Sequence, residues 1–412
     1  MTDRATVRPP NPESKMPIGA PSSSGSRGLS GGTAPSVGAS PSFSTEWRCR
    51  SRFGSSVPRV TMTSRSRGRR LAAVSAGLVL AATLAPSPGT AHEARSASAG
   101  QDSAARGVSS GQVLAISLDG FNPNLVTRLG RKGAPNLTRL FRNGASTKNA
   151  RAQIELTVTL PNHTSQLTGR RIDASEGGHG VTWNDDKPSR PDTIQDAAGE
   201  DVASIFTQVH DAGLSTALFA TESKFTLFKA SWPDAIDRST VKDNKDLAIT
   251  RAVRRDLVQN NRAFTFLHLG QLDNTGHDHG WFSPKYLRAG RRIDELLGQI
   301  LTTIRNNDSL DDLTIVLTAD HGGKPGEKGH AAASVLENYR VPFVIWGAGV
   351  DKGDLYDMNP TYADPGTSRP LFDADPQPIR NGDLANVCAK LLGLQAVPGS
   401  LWGTDQTLTW HD

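Results

Sequence analysis

The chain has 412 residues, a formal net charge of +5, 36% hydrophobic residues and two cysteines. The charge is unevenly spread: residues 1–110 hold 14 basic and 5 acidic side chains, leaving 32 basic and 36 acidic, a charge near −4, for the rest. The basic balance therefore belongs to the amino-terminal region and points to no nucleic-acid-binding surface. With Cys388 alone beyond that region, an internal disulfide framework is excluded there.

Residues 1–61 are rich in Ser, Gly, Pro and Arg without apolar periodicity and read as a disordered or misannotated extension. Met62 then precedes Arg65, Arg67, Arg69 and Arg70, an apolar run of 15 residues from Leu71 to Ala85, and the small residues Gly89-Thr90-Ala91. That order predicts a signal peptide over 62–91, and hence a secreted or extracytoplasmic product. The run is short for a membrane span, which needs about 20 residues, so none is expected in the mature chain. A polar linker over 92–110 leads into a domain at 111–412, long enough for one core.

Val113–Leu118 reads as a buried strand ending at Asp119-Gly120-Phe121, and 136–143 as a short helix closed by Gly144. Thr157-Val158-Thr159-Leu160-Pro161-Asn162-His163 precedes a helix running to Thr168 with Gly169 as its cap. A hydroxyl at such a helix start meets unpaired N–H groups and suits an anion and a nucleophile. Helices follow at 202–212 and 246–259, with strands at 215–220 and 263–269. The segment Gln271–Gly280 reads as a turn carrying Asp273 and His277, before Ser283 and Pro284 open a helix to about Arg305. Strands at 313–318 and 341–346, a loop-like stretch over 350–380 and a helix at 382–393 complete the chain. This alternation predicts an α/β single domain with a mostly parallel central sheet and helices on both faces.

Strands of such a sheet deliver their carboxyl ends to one side, so Asp119, Asp273 and Asp320 converge in one crevice. Three carboxylates there repel unless cations bind. The accompanying His277, His321 and His330 favour zinc, with manganese or iron as alternatives; magnesium would favour oxygens alone. Six donors and one hydroxyl suffice for two sites. Thr157 is an alternative to Thr159 as the nucleophile, and His279 to His277 as a ligand. Phe225, Phe228 and Trp232 are either core or the lining of a leaving-group pocket.

The ordered set Asp119-Gly-Phe, Thr159-Leu-Pro-Asn-His163, His179-Gly-Val-Thr-Trp-Asn184, Asp273-x-x-Gly-His277, Asp320-His321-Gly322 and Gly329-His330 resembles the alkaline phosphatase superfamily. Within it, the chain is similar to the nucleotide pyrophosphatase/phosphodiesterase family over most of 112–347. The resemblance implies one zinc held by Asp273, His277 and His330, and another by Asp119, Asp320 and His321 with Thr159 beside it. It further implies that Thr159 attacks phosphorus and that Asn184 hydrogen-bonds a phosphoryl oxygen, with the Leu160 N–H as a second donor. The expected activity is hydrolysis of phosphate diesters or pyrophosphates of small molecules; the alternative is a phosphomonoesterase or phosphonate hydrolase on the same metals.

Overall fold

The computed structural model of the chain describes residues 111–411. The expected extension, signal peptide and linker lie outside the described residues. In chain order the elements are β1 (Gln112–Leu118), α1 (Asn124–Gly133), α2 (Pro135–Asn143), β2 (Ala145–Arg151), α3 (Thr159–Thr168), α4 (Ile194–Ala198), α5 (Ile205–Asp211) and β3 (Thr216–Ala220). Then come α6 (Thr226–Ser231), β4 (Arg238–Val241), α7 (Asp246–Asn260), β5 (Phe264–Leu269), α8 (Gln271–His279) and α9 (Pro284–Arg305). The last are β6 (Leu313–Thr318), α10 (Leu336–Tyr339), β7 (Arg340–Trp346), β8 (Gly353–Asp354), α11 (Leu355–Met358) and α12 (Asp383–Leu391).

The strands form one eight-stranded sheet in the order β4-β3-β5-β1-β6-β7-β2-β8. Every pairing is parallel except the two made by β7, so β7 alone runs against the rest. The three central strands, β5, β1 and β6, are buried along their whole length. This is why they read as unbroken apolar runs rather than as alternating ones. Helices α3, α5 and α12 pack together, as do α1, α2, α7, α8 and α9, giving the sheet its two helical layers. Register sets the function: Leu118 lies beside Leu269, and Ser117 beside Thr318. The chain thus leaves all three central strands at one level, on one edge of the sheet.

Two local findings differ from expectation. The segment 271–280 is not a turn but the helix α8, although Gly, Asn, Asp and Thr make it a poor helix by propensity. Its apolar and acidic face is buried through Leu272, Asp273 and Gly276, and tertiary packing outweighs the propensity. Phe225, Phe228 and Trp232 are buried in the core, so they do not line a pocket. Phe225 stacks against His268 and meets His163 edge-on. Ser283 caps α9 as predicted, its hydroxyl accepting from the Tyr286 N–H, with Pro284 first in the helix. Cys388 is buried among apolar side chains.

Candidate active site

Asp119 follows β1 directly, Asp320 follows β6 by two residues, and Asp273 stands in the first turn of α8, just past β5. All three are buried, as are His321 and His330, whereas the His277 side chain is 47% exposed. The end of β1 meets α8 so closely that a Cβ on Gly120 would lie 2.9 Å from the Asp273 Cα, and Gly120 has φ +66°. Only glycine fits there.

In Asp119, Asp320, His321 and His330 one atom is held by the protein and the other points away from that bond. His268 receives the Thr221 N–H at Nδ1, so its Nε2–H donates to Asp119 Oδ2 at 3.0 Å. The Gly120 N–H donates to Asp320 Oδ1. His321 Nδ1 donates to the Gly322 carbonyl at 2.9 Å and His330 Nδ1 to the Thr157 carbonyl at 2.6 Å. Those bonds place the proton on Nδ1 and leave Nε2 with its lone pair, unpartnered in His321 and facing His277 Nε2 in His330, the arrangement of a metal-ligating histidine. Asp119 Oδ1, Asp273 Oδ1, Asp320 Oδ2 and His321 Nε2 are correspondingly buried without a hydrogen-bond partner.

These leftover atoms face each other. His321 Nε2 lies 3.0 Å from Asp320 Oδ2, 3.4 Å from Asp119 Oδ1 and 3.8 Å from Asp273 Oδ1. His330 Nε2 is 3.6 Å from Asp273 Oδ1 and 3.0 Å from His277 Nε2, which is itself 3.4 Å from Asp273 Oδ2. Ligands about 2.0–2.2 Å from a tetrahedral ion stand about 3.4 Å apart, so the cluster has the edges of a coordination shell. The residues fit metal ions. Asp119, Asp320 and His321 form one group, and Asp273, His321 and His330 another, so His321 stands between the two. The predicted trio Asp273, His277 and His330 meets pairwise at the distances above.

Without cations the site resists its own charge. Burial, and then the charge of Asp273, raises Asp119; burial and then Asp119 raises Asp320; Asp273 is pushed up to about 7, first by burial. Burial also lowers the imidazoles, His330 to about 4 and His321 well below its ordinary value. Neutral imidazoles beside carboxyls that hold their protons make a site that exchanges protons for metal.

Thr159 is the first residue of α3 and is 1% exposed. Its carbonyl accepts from His163 Nδ1 at 2.8 Å, and that same Nδ1 stands 3.7 Å from Asp320 Oδ2. Asn162, one turn into the helix, is bonded to Asn381, whose amide also reaches the Asp320 carbonyl. Thr157 donates its hydroxyl to the His330 carbonyl and accepts from the same residue's ring, so it braces His330. The Leu160 N–H is not open to a substrate: it donates to Asn184 Oδ1 at 2.8 Å, which leaves the exposed Asn184 its amide Nδ2 as donor. His179 is buried against the Ser165 hydroxyl, and the exposed His279 contacts Lys285 rather than the donor cluster. Sequence reasoning missed His268, Glu222 and Lys224. The one signal for them was their place in and just after strands predicted to end on this edge.

Three comparisons bear on this arrangement. The model of the family described as type I phosphodiesterase / nucleotide pyrophosphatase matches residues 113–370. GPI ethanolamine phosphate transferase 1 of Chaetomium globosum is 30% identical over 154 residues, 36% of this chain but 16% of that protein. Human ectonucleotide pyrophosphatase/phosphodiesterase family member 7 is 23% identical over 244 residues, covering 57% of this chain and 52% of that protein. Murine ectonucleotide pyrophosphatase / phosphodiesterase 5, solved as an inactive variant in complex with AMP, shares the fold at a TM-score of 0.51 and 15% identity. That match covers 73% of this chain and 100% of the murine one. The predicted secreted or extracytoplasmic location is overturned by the likeness to fungal GPI ethanolamine phosphate transferases. Among the described residues, no helix is long and apolar enough to cross a membrane.

Proposed function

Because the chain belongs to the type I phosphodiesterase / nucleotide pyrophosphatase family, we propose that it is a two-metal hydrolase of small phosphate diesters or pyrophosphates whose nucleophile is Thr159. The observation that carries this reading is the set of orphaned donor atoms on Asp119, Asp273, Asp320 and His321, gathered on the sheet edge. Asp119, Asp320 and His321 would hold one ion and Asp273, His277 and His330 the other; a donor set of three imidazoles and three carboxylates suits zinc, with manganese or iron as alternatives. When bound, the ions supply Lewis-acid stabilisation of the attacking and leaving oxygens.

Thr159 Oγ attacks phosphorus, the Oγ–P bond forms, and the bond to the leaving oxygen breaks. The leaving group departs with a proton, and the phosphorylated Thr159 is then attacked at phosphorus by water, which restores the hydroxyl. The α3 amino terminus presents its dipole to the transferred group. Asn184 Nδ2 donates to a non-bridging oxygen, its own carboxamide being fixed by the Leu160 N–H. His163 Nδ1 donates to the Thr159 carbonyl within α3, which steadies the first turn of the helix.

A second reading keeps the first half of this sequence and replaces water by an acceptor hydroxyl, giving a phosphoethanolamine transferase. The likeness to the fungal transferases favours it. The test is turnover of bis-p-nitrophenyl phosphate by protein reloaded with zinc after chelation, with Thr159→Ala as control and p-nitrophenyl phosphate as competitor. Zinc-dependent release that favours the diester and disappears in the variant supports the hydrolase. Release of a single equivalent, with a phosphorylated Thr159 found by mass spectrometry and discharged only by an added alcohol, selects the transferase. Equal turnover by Thr159→Ala removes Thr159 from the mechanism.

A further inference from the structure

One charged pair in the site is unused by this chemistry. Thr221, Glu222 and Lys224 follow β3, the neighbour of β5, and so leave the sheet on the catalytic edge. Lys224 Nζ stands 2.6 Å from Glu222 Oε2, with side chains only 14% and 15% exposed. Glu222 brings a donor atom within 4.8 Å of donors on Asp119 and His268. The charge of the ammonium is felt at Asp119, Asp273, His163, His268 and His330, and the carboxylate it pairs with is the one beside Asp119 and His268. Lys324 and Lys328, between two of the donor residues, and Lys242 and Lys245, after β4, are exposed, and Lys324 is paired with Glu327.

We propose that Lys224 contacts a non-bridging oxygen of the substrate phosphate, and that Glu222, by pairing with it, sets the site for singly charged diesters over doubly charged monoesters. A diester carries one negative charge. A monoester carries close to two at neutral pH, its second pKa being about 6. A buried ammonium matched by a buried carboxylate offers a hydrogen-bond donor but no net charge. The second charge of a monoester therefore meets no unmatched cation beyond the metals. In a half-buried site, where the effective dielectric constant is well below that of water, one uncompensated charge a few ångströms away changes binding by about tenfold or more.

This inference rests on the phosphoesterase reading above, and its test separates the two. Glu222→Gln keeps the shape and removes the charge. With metal content measured and matched to wild type, it raises the monoester-to-diester ratio of kcat/KM by about tenfold or more. A second arm needs no turnover: inorganic phosphate, titrated calorimetrically into zinc-loaded Thr159→Ala, binds about tenfold tighter once Glu222→Gln is added and weaker with Lys224→Gln. Lys224→Gln, which leaves the Glu222 carboxylate unmatched, also lowers kcat/KM for both esters and lowers it more for the monoester. Absence of turnover in the wild type overturns the phosphoesterase reading alone, since the phosphate arm still reports on the pair. An unchanged ester ratio, or unchanged phosphate affinity in both variants, overturns the role given to Glu222 and Lys224.

Discussion

Trp281 donates its indole N–H to the Gly120 carbonyl at 2.9 Å, tying the segment after α8 to the end of β1. The Tyr286 hydroxyl donates to the same carbonyl at 2.8 Å. The Trp281 ring also meets His277 and His330 edge-on, at 5.6 and 5.7 Å between centroids. A Cβ on Gly323 would lie 2.1 Å from that ring, which explains a glycine two residues beyond His321.

Gly323→Ala is therefore expected to displace the Trp281 ring and cost about 1–3 kcal/mol, the usual penalty of overpacking. Since the ring flanks His277 and His330, the loss should fall on the ion proposed for Asp273, His277 and His330. Thermal melts with and without zinc, together with metal analysis, check it: an unchanged melt and two ions per chain would show that the contact is relaxed cheaply.

Asn162 ties α3 to the loop after β2 and to the segment before α12. Its Oδ1 accepts from the Gln153 N–H at 2.8 Å and from Asn381 Nδ2 at 3.1 Å, while its Nδ2 donates to the Leu156 carbonyl at 2.6 Å. Asn162→Leu leaves several buried groups unpaired, and about 2–4 kcal/mol of stability should be lost at about 1–3 kcal/mol for each uncompensated group. Urea denaturation measures this directly. A loss below about 1 kcal/mol, the net worth of a single ordinary hydrogen bond, would mean that water replaces the network.

Metal affinity should depend on pH through the carboxyls. Burial first, with Asp320 and Glu222 adding to it and His277 opposing, raises Asp273 to about 7 in the metal-free protein. Below that pH the proton competes with the ion, so affinity falls by about tenfold per pH unit for each proton displaced. His330, lowered to about 4 chiefly by burial, keeps its lone pair free and adds no dependence above about pH 5. Zinc titrations in buffers of different ionisation enthalpy should show proton release at pH 6. Binding without proton release would contradict the raised carboxyls.

Asn184→Ala should lower kcat by about 100-fold, the loss typical of one preorganised donor to a developing oxyanion. The metal content should not change, because Asn184 touches none of the donor residues and is bonded to the Leu160 N–H. If KM rises while kcat holds, the side chain contributes to ground-state binding instead.

Much of this molecule is written locally. The unbroken apolar runs of β1, β5 and β6 follow from burial on both faces, and Ser283-Pro284 starts α9 by cap chemistry alone. The donor residues were legible too, because chain order and strand ends place Asp119 and Asp320 before any packing is known. Strand β2, with the sequence ASTKNAR, was not legible, since its strand state rests on pairing with β7 rather than on alternation. Nor was α8, whose composition disfavours a helix until Leu272, Asp273 and Gly276 are buried.

The amino-acid sequence by itself determined the fold class, the sheet edge and the identities of the groups that can hold metal, because periodicity, caps and titratable residues act over a few positions. Only the tertiary structure decided which donor atoms are left over, that Asn184 takes the Leu160 N–H, that Thr157 braces His330, and that Lys224 pairs with a Glu222 carboxylate lying beside Asp119. Those outcomes depend on hydrogen bonds and charges between residues up to 200 positions apart, as between Gly120 and Asp320, and no local pattern encodes such distances.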